Sequence, residues 1–154
     1  MADLKYVTYC GLYCKHCVNI ARIPQQAKTL HDTMKREGYE YFGPYESSHF
    51  NDFWEYLKHL TVLDNECPLC RGGCGDPGCK IRICAREKNQ EICVYCDEYP
   101  CTHFENLIRQ YPALLGDGKR LKELGIDAWI AEQEQRYERG YCFSEGRYDI
   151  KYEE

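Results

Sequence analysis

The chain has 154 residues and a formal charge of −5, from 20 lysines and arginines against 25 aspartates and glutamates. That length suits one domain, 1–154, with a modest core. The acidic balance withholds the phosphate attraction on which general nucleic-acid binding depends, and no apolar run nears the roughly 18 residues that cross a bilayer.

The chain opens Met1-Ala2-Asp3-Leu4-Lys5-Tyr6-Val7-Thr8-Tyr9-Cys10, without the apolar stretch or small-residue cleavage site of a secretory signal. A cytoplasmic protein is expected. The first cysteine burst follows, Cys10-Gly-Leu-Tyr-Cys14-Lys-His-Cys17. Ile20, Ile23, Ala27, Leu30 and Met34 then recur at helical intervals, with Pro24 suited to a first turn and Gly38 to an end. Gly43-Pro44 reads as a loop, after which Ser47 or Ser48 can cap a helix with the apolar face Phe50, Phe53, Trp54, Leu57 and Leu60.

From Glu66 to Cys101 the chain holds eight cysteines, with glycines at 72, 73, 75 and 78 and prolines at 68, 77 and 100. Such a segment buries too little apolar surface to offset its ordering entropy, so bound metal is expected to order it. A short strand pair around 80–83 and 91–94, as in zinc-ribbon hairpins, is expected. Thr102-x-x-Glu105 reads as a capping box for a helix with Phe104, Leu107, Ile108 and Tyr111 on one face, stopped at Pro112. Leu121 and Leu124 lie on a further helix ending at Gly125. Asp127 can open a last one with Trp129, Ile130 and Tyr137 inward, a Glu132–Arg136 pair outside and Gly140 at its end. The tail 144–154 is polar. The expected fold is mainly α with small irregular or β zinc-ribbon-like elements, its helices packed around metal-stapled loops.

Twelve cysteines are about 8% of the chain, at the edge of the disulfide-scaffold range. Their short turn spacings, the absent signal sequence and the credible helices favour metal sites over disulfides. Each four-thiolate zinc site adds −2, so two would take the chain to −9. Cys67-Pro-Leu-Cys70 and Cys93-Val-Tyr-Cys96 are two C-x-x-C pairs with 22 residues between them, the layout of a four-cysteine zinc ribbon. Cys79, Cys84, Cys101 and one N-terminal cysteine supply a second site; spacing does not assign the partners.

The C-x3-C-x2-C of Cys10, Cys14 and Cys17 is also the spacing by which radical-SAM enzymes hold a 4Fe–4S cluster, but the strand–helix repeats of those enzymes are missing. The Cys14–Cys17 pair lacks the thioredoxin-like context of a redox dithiol. His31 and His59 fall on expected helices as surface or half-buried groups, and His103 beside Cys101 is a reserve ligand. Lys80, Arg82, Arg86 and Lys88 form a basic run, read as offsetting thiolate charge and hydrogen-bonding the sulfurs.

The ordered series Cys10-Gly11-Leu12-x-Cys14-x-x-Cys17, Cys67-x-x-Cys70, Cys79-x-Ile81-x-x-Cys84-Ala85-x-x-Lys88 and Cys93-x-x-Cys96-x-x-x-Pro100-Cys101 resembles the DUF3795 family. That family comprises small cysteine-rich proteins of bacteria and archaea, described as zinc-binding and without assigned function. The resemblance implies metal ligation by Cys10, Cys14, Cys17, Cys67, Cys70, Cys79, Cys84, Cys93, Cys96 and Cys101, within the segments 10–17 and 67–101. It carries nothing over to Cys74 or Cys142. With no paired carboxylates in a pocket and no nucleophile with its base, the chain reads as non-enzymatic. The expectation is a structural zinc protein with two or more Zn2+ and a surface for a protein partner. The alternative is an iron–sulfur or thiol redox protein with a 4Fe–4S cluster.

Overall fold

A computed structural model describes residues 2–148. The chain divides into two compact units, one of Met1–Cys17 with Pro68–Glu154 and one of Val18–Cys67. Among the described residues the structure is helical, and its β component is a single isolated bridge between Val7 and Tyr13.

The unit Val18–Cys67 holds α1 (Val18–Ala21), α2 (Ile23–Arg36), α3 (Tyr39–Glu46), α4 (Phe50–Thr61) and α5 (Leu63–Glu66). Pro24 sits in the first turn of α2, where its missing N–H is no loss. Gly38, at φ 81°, makes the left-handed turn into α3. α2 packs along α4, and Ala27, Phe50, Trp54 and Leu57 form the core with Met34, Tyr39 and Leu60 at its edge. Leu30 and Phe53, expected inside, are 47% and 41% exposed. The place expected for Leu30 goes to its neighbour His31, whose ring stacks on Trp54 with centroids 4.7 Å apart.

Gly43-Pro44, expected as a loop, lies inside α3. A Cβ at Gly43 would come within 2.4 Å of the Phe50 ring, so the backbone of α3 rests directly on that ring. Tertiary packing here overrides the breaker signal. Ser47 does not cap α4. Its Oγ accepts from the amide of His49 at 3.2 Å, ahead of the helix, which starts at Phe50.

The other unit carries α6 (Lys80–Glu87), α7 (Glu105–Gln110), α8 (Leu114–Leu124), α9 (Ile126–Glu138) and α10 (Phe143–Tyr148). The expected ribbon hairpin is absent: 80–83 belongs to α6, and Cys93–Tyr95 is a 3-10 turn. Ile81 and Ala85, four residues apart, are both buried, which is the helical period and not the alternation of a strand. Thr102 opens a 3-10 turn ahead of α7, with Cys101 at its N-cap, and the capping box does not form.

Val7, Tyr13, Ile92, Val94, Leu121 and Trp129 make one buried cluster of this unit, and Ile81, Phe104 and Leu114 another, with Tyr99 packed against both. Gly125, at φ 76°, separates α8 from α9. Glu132 and Arg136 reach across to α8 instead of pairing with each other. Arg120 meets Glu132 at 3.0 Å, and Arg136 meets Asp117 at 3.1 Å. Residues 149–154 of the polar tail lie outside the described residues.

Candidate metal centre

Two of the three C-x-x-C pairs adopt the same local form. Each makes one 3-10 turn, closed by Cys17 N–H to Cys14 O at 3.0 Å and by Cys96 N–H to Cys93 O at 2.9 Å. The segment 70–74 turns differently. Leu69 at φ 60° and Gly73 at φ 101° curl it until Cys74 N–H reaches Leu69 O at 2.9 Å. Cys79 sits at the N-cap of α6, so its position is set by the helix it precedes.

Main-chain bonds join the first burst to the last. The amide of Cys93 donates to Tyr9 O at 2.7 Å, and Gly11, at φ 92°, lies so close that an added Cβ would stand 2.9 Å from Val94 Cγ2. Cys10, Cys79, Cys93 and Cys101 all pack against the Ile81, Phe104 and Leu114 cluster. On the same side a cleft is lined by Cys84, Cys93, Cys96 and Cys101, with His103, Lys88 and Glu98 also in its wall. Lys88 and Glu98 pair at 2.9 Å.

The thiols in this region act on one another. Burial pushes the Cys93 thiol up to about 12, helped by the nearby charge of Cys10, Cys101, Cys96 and Cys84. Burial likewise pushes Cys10 up to about 11, against hydrogen bonds from Thr8 and the Leu12 backbone and with a further upward push from Cys70 and Cys79. Thr8 Oγ1 lies 3.0 Å from Cys10 Sγ. Without a cation these groups stay neutral, and a bound metal would supply the missing counter-charge.

Arginines hold the cysteine loops by their carbonyls. Buried Arg82, one turn into α6, donates to Cys74 O at 2.8 Å and Asp76 O at 2.6 Å, with a longer bond to Cys70 O at 3.4 Å. Arg71 donates to Leu4 O at 3.0 Å, Val7 O at 2.8 Å and Glu91 O at 2.8 Å. Its guanidinium lies 4.7 Å from the Tyr9 ring centroid. Arg86 donates to Arg71 O at 2.9 Å. Of the basic run, Arg82 and Arg86 thus grip backbone oxygens and Lys88 a carboxylate, where sulfur was the expected acceptor. Carbonyls of a loop with little helix or sheet of its own are its largest unmet hydrogen-bonding need.

Cys14 and Cys17 frame the first 3-10 turn. Cys67 falls in the Val18–Cys67 unit. Cys14 is buried, and so is His16, which the sequence offers only as the aromatic ring before the last cysteine of the C-x3-C-x2-C. The His16 ring is fully buried among Tyr13, Tyr141 and Phe143, with Nε2 3.1 Å from Gln133 O, and burial pushes it down to about 4. It is therefore a neutral core histidine. Cys142 is buried and accepts from Ser144 Oγ at 3.2 Å.

Among the described residues no group of three or more His, Cys, Asp or Glu side chains is arranged so as to hold a metal ion. By type, the partly buried cysteines around Cys93, several of them against an apolar wall, suit a soft or borderline cation. Holding an ion would require these side chains to rearrange. No helix is long and apolar enough to cross a membrane among the described residues.

No curated protein and no solved structure matches the chain. The profile of a family described as a protein of unknown function, DUF3795, matches residues 6–106, which span both cysteine bursts. The chain belongs to the DUF3795 family.

Proposed function

We propose that this is a metal-thiolate protein in which cysteine-bound zinc holds the loops of 10–17 and 67–101 in place, leaving the helical surface for a protein partner. One observation carries the reading: Cys84 from α6, Cys93 and Cys96 from one 3-10 turn, and Cys101 before the next line a single cleft. Four thiolates are what a closed tetrahedral zinc site takes. A closed site has no open position for water, so its contribution is to the fold. Zinc binding supplies about 10–16 kcal/mol in small zinc peptides, far above the order of 1 kcal/mol that turning a thiol out of its preferred rotamer costs. Cys14, Cys17 and Cys67 belong to the same proposal as further ligands. So does a cytoplasmic location, where thiols stay reduced.

A second reading, an iron–sulfur cluster held by the same four cysteines, rests on the suitability of soft thiolates for zinc and for iron–sulfur clusters alike. Purification without oxygen, a visible spectrum and elemental analysis decide between the two. Colourless protein with two or more zinc per chain supports zinc. Brown protein with stoichiometric iron and sulfide replaces zinc by the cluster. Protein without bound metal after reconstitution with either ends both readings.

A further inference from the structure

A cavity of about 130 Å3 in the same unit has no cysteine in its wall. It lies where the end of α7, the first turn of α8 and the turn between α9 and α10 meet. Tyr111 ends α7, Asp117 stands in the first turn of α8, and Tyr141 and Phe143 lead into α10. Main-chain bonds fix these places: Leu114 N–H to Tyr111 O at 2.9 Å, Asp117 N–H to Ala113 O at 2.8 Å, and Tyr141 N–H to Arg136 O at 3.0 Å.

The aromatic walls stand nearly at right angles. The Phe143 ring is turned 80° from Tyr111, with centroids 5.2 Å apart, and 84° from Tyr141, with centroids 6.1 Å apart. Leu12 and Leu114 add aliphatic surface. Among the described residues Asp117 is the one charged group in the lining. Its Oδ1 accepts from Arg136 Nη1 at 3.1 Å, but that nitrogen is shared with Gln133 Oε1, also at 3.1 Å. Burial still holds the Asp117 carboxyl above the ordinary range, against the pull of Arg136. The Arg136 guanidinium lies over the Tyr141 ring, 4.2 Å from its centroid, so a cation beside an aromatic wall is a contact this fold already makes.

We infer that the cavity binds a small, free quaternary ammonium compound, its charge set against Asp117 and the aromatic rings and its methyl groups against the leucines. The lone carboxylate opposes an anion and gives a neutral molecule nothing. A primary ammonium brings three N–H donors that rings and leucines cannot satisfy, whereas a methylated one brings none. In size the space is close to the engineered apolar cavity of about 150 Å3 that takes in benzene, which is the scale of a trimethylammonium head. Apart from Leu12, the lining residues lie beyond 106, where the match to the DUF3795 profile ends, so the site does not follow from that match. Nor does it depend on bound metal.

The test uses the whole chain, purified without oxygen and titrated calorimetrically with three probes that share a hydroxyethyl arm: choline, ethanolamine, and the neutral alcohol in which carbon replaces the choline nitrogen. Choline should bind about tenfold tighter than either of the others. Its methyl proton resonance should move upfield on binding, as ring currents require. Asp117→Asn should weaken choline by a similar factor and leave the neutral alcohol unchanged, and Tyr111→Leu should weaken choline and reduce the upfield shift. Equal affinity for choline and the neutral alcohol overturns recognition of the charge. Ethanolamine binding as tightly as choline overturns the preference for methylated nitrogen. Choline binding that survives both substitutions overturns the location, and no choline binding at millimolar concentration overturns the site. A short peptide carrying trimethyl-lysine that binds more tightly than choline overturns the free compound as occupant. The three probes are compared on the unaltered chain, so the inference is tested even where a variant fails to fold.

Discussion

The amide of Cys93 donates to the carbonyl of Tyr9, 84 positions earlier in the sequence, and that 2.7 Å bond carries the first cysteine burst onto the last. It is a main-chain link, unaffected by what the Cys93 side chain binds. The neighbouring contact of Gly11 with Val94 closes the same joint from the other side. The frame that brings the thiols together is thus built from backbone bonds and close approach, and the sulfurs are its contents.

This separation yields the first prediction. Cys93→Ser keeps the main-chain bond to Tyr9 but removes a sulfur from the cleft that Cys84, Cys96 and Cys101 also line. In metal-loaded protein it should lower the melting temperature far more than Cys142→Ser, whose parent thiol is buried away from the cleft beside Ser144. Thermal unfolding of both variants with zinc present checks this. Equal melting temperatures would contradict ligation by Cys93.

Arg82 gives a prediction independent of metal. Arg82→Met keeps the buried stem and removes the guanidinium, stranding the carbonyls of Cys74 and Asp76. Hydrogen bonds to charged groups contribute about 1.5–3 kcal/mol each, so a loss of roughly 2–4 kcal/mol is expected. Arg82→Lys should recover less than half, because an ammonium on a flexible stem cannot reproduce the planar fork. Urea unfolding midpoints read the order, with Arg86→Met, at an exposed contact, as the milder comparison.

Much of this was legible in the residues, and the failures have identifiable causes. The helices around Ala27, Trp54, Phe104, Leu121 and Trp129 follow from apolar periodicity, and Gly38 and Gly125 punctuate them at positive φ. The hairpin at 80–83 was misread because C-x-x-C spacing suggested a ribbon, while the buried pair Ile81 and Ala85 carries the helical period. Spacing pairs Cys67 and Cys70 with Cys93 and Cys96 but says nothing of the cleft that Cys84, Cys93, Cys96 and Cys101 line, a grouping that depends on where α6 and the 3-10 turns lie. His16 gave no signal beyond lying between two cysteines, since burial by Tyr141 and Phe143 comes from residues more than 120 positions away.

In the Val18–Cys67 unit, Gly43→Ala should be costly although alanine is the better helix former. The new methyl would stand 2.4 Å from a ring already stacked on Trp54, 5.5 Å between centroids, and lying beside Tyr39. Phe50 is buried and has little room to retreat. Overpacking of this kind costs about 1–3 kcal/mol, which exceeds the gain of up to about 1 kcal/mol from replacing a helical glycine. Chemical denaturation followed by Trp54 fluorescence should show a lower midpoint. A midpoint raised above that of the parent would mean that α3 does not rest on Phe50.

The last prediction concerns pH and lies on α9. Burial raises the Glu134 carboxyl, but hydrogen bonds from Lys15 and Tyr13 outweigh it and hold the group below the ordinary carboxylate range. Lys15 Nζ sits 2.7 Å from Glu134 Oε2. A depressed folded-state value means that the unfolded chain takes up the proton first. The stabilisation is therefore complete above the ordinary glutamate value of about 4.3 and is lost as pH falls from there through the folded-state value. Both side chains are partly exposed, so the pair contributes about 1 kcal/mol or less. Lys15→Met should accordingly unfold at lower urea than the parent at pH 7, and the difference should shrink as the pH is taken below 4. A gap that stays constant down to pH 3 would show that the Lys15 ammonium acts on the Tyr6 and Tyr137 rings, 4.7 Å and 5.3 Å away, and not on Glu134.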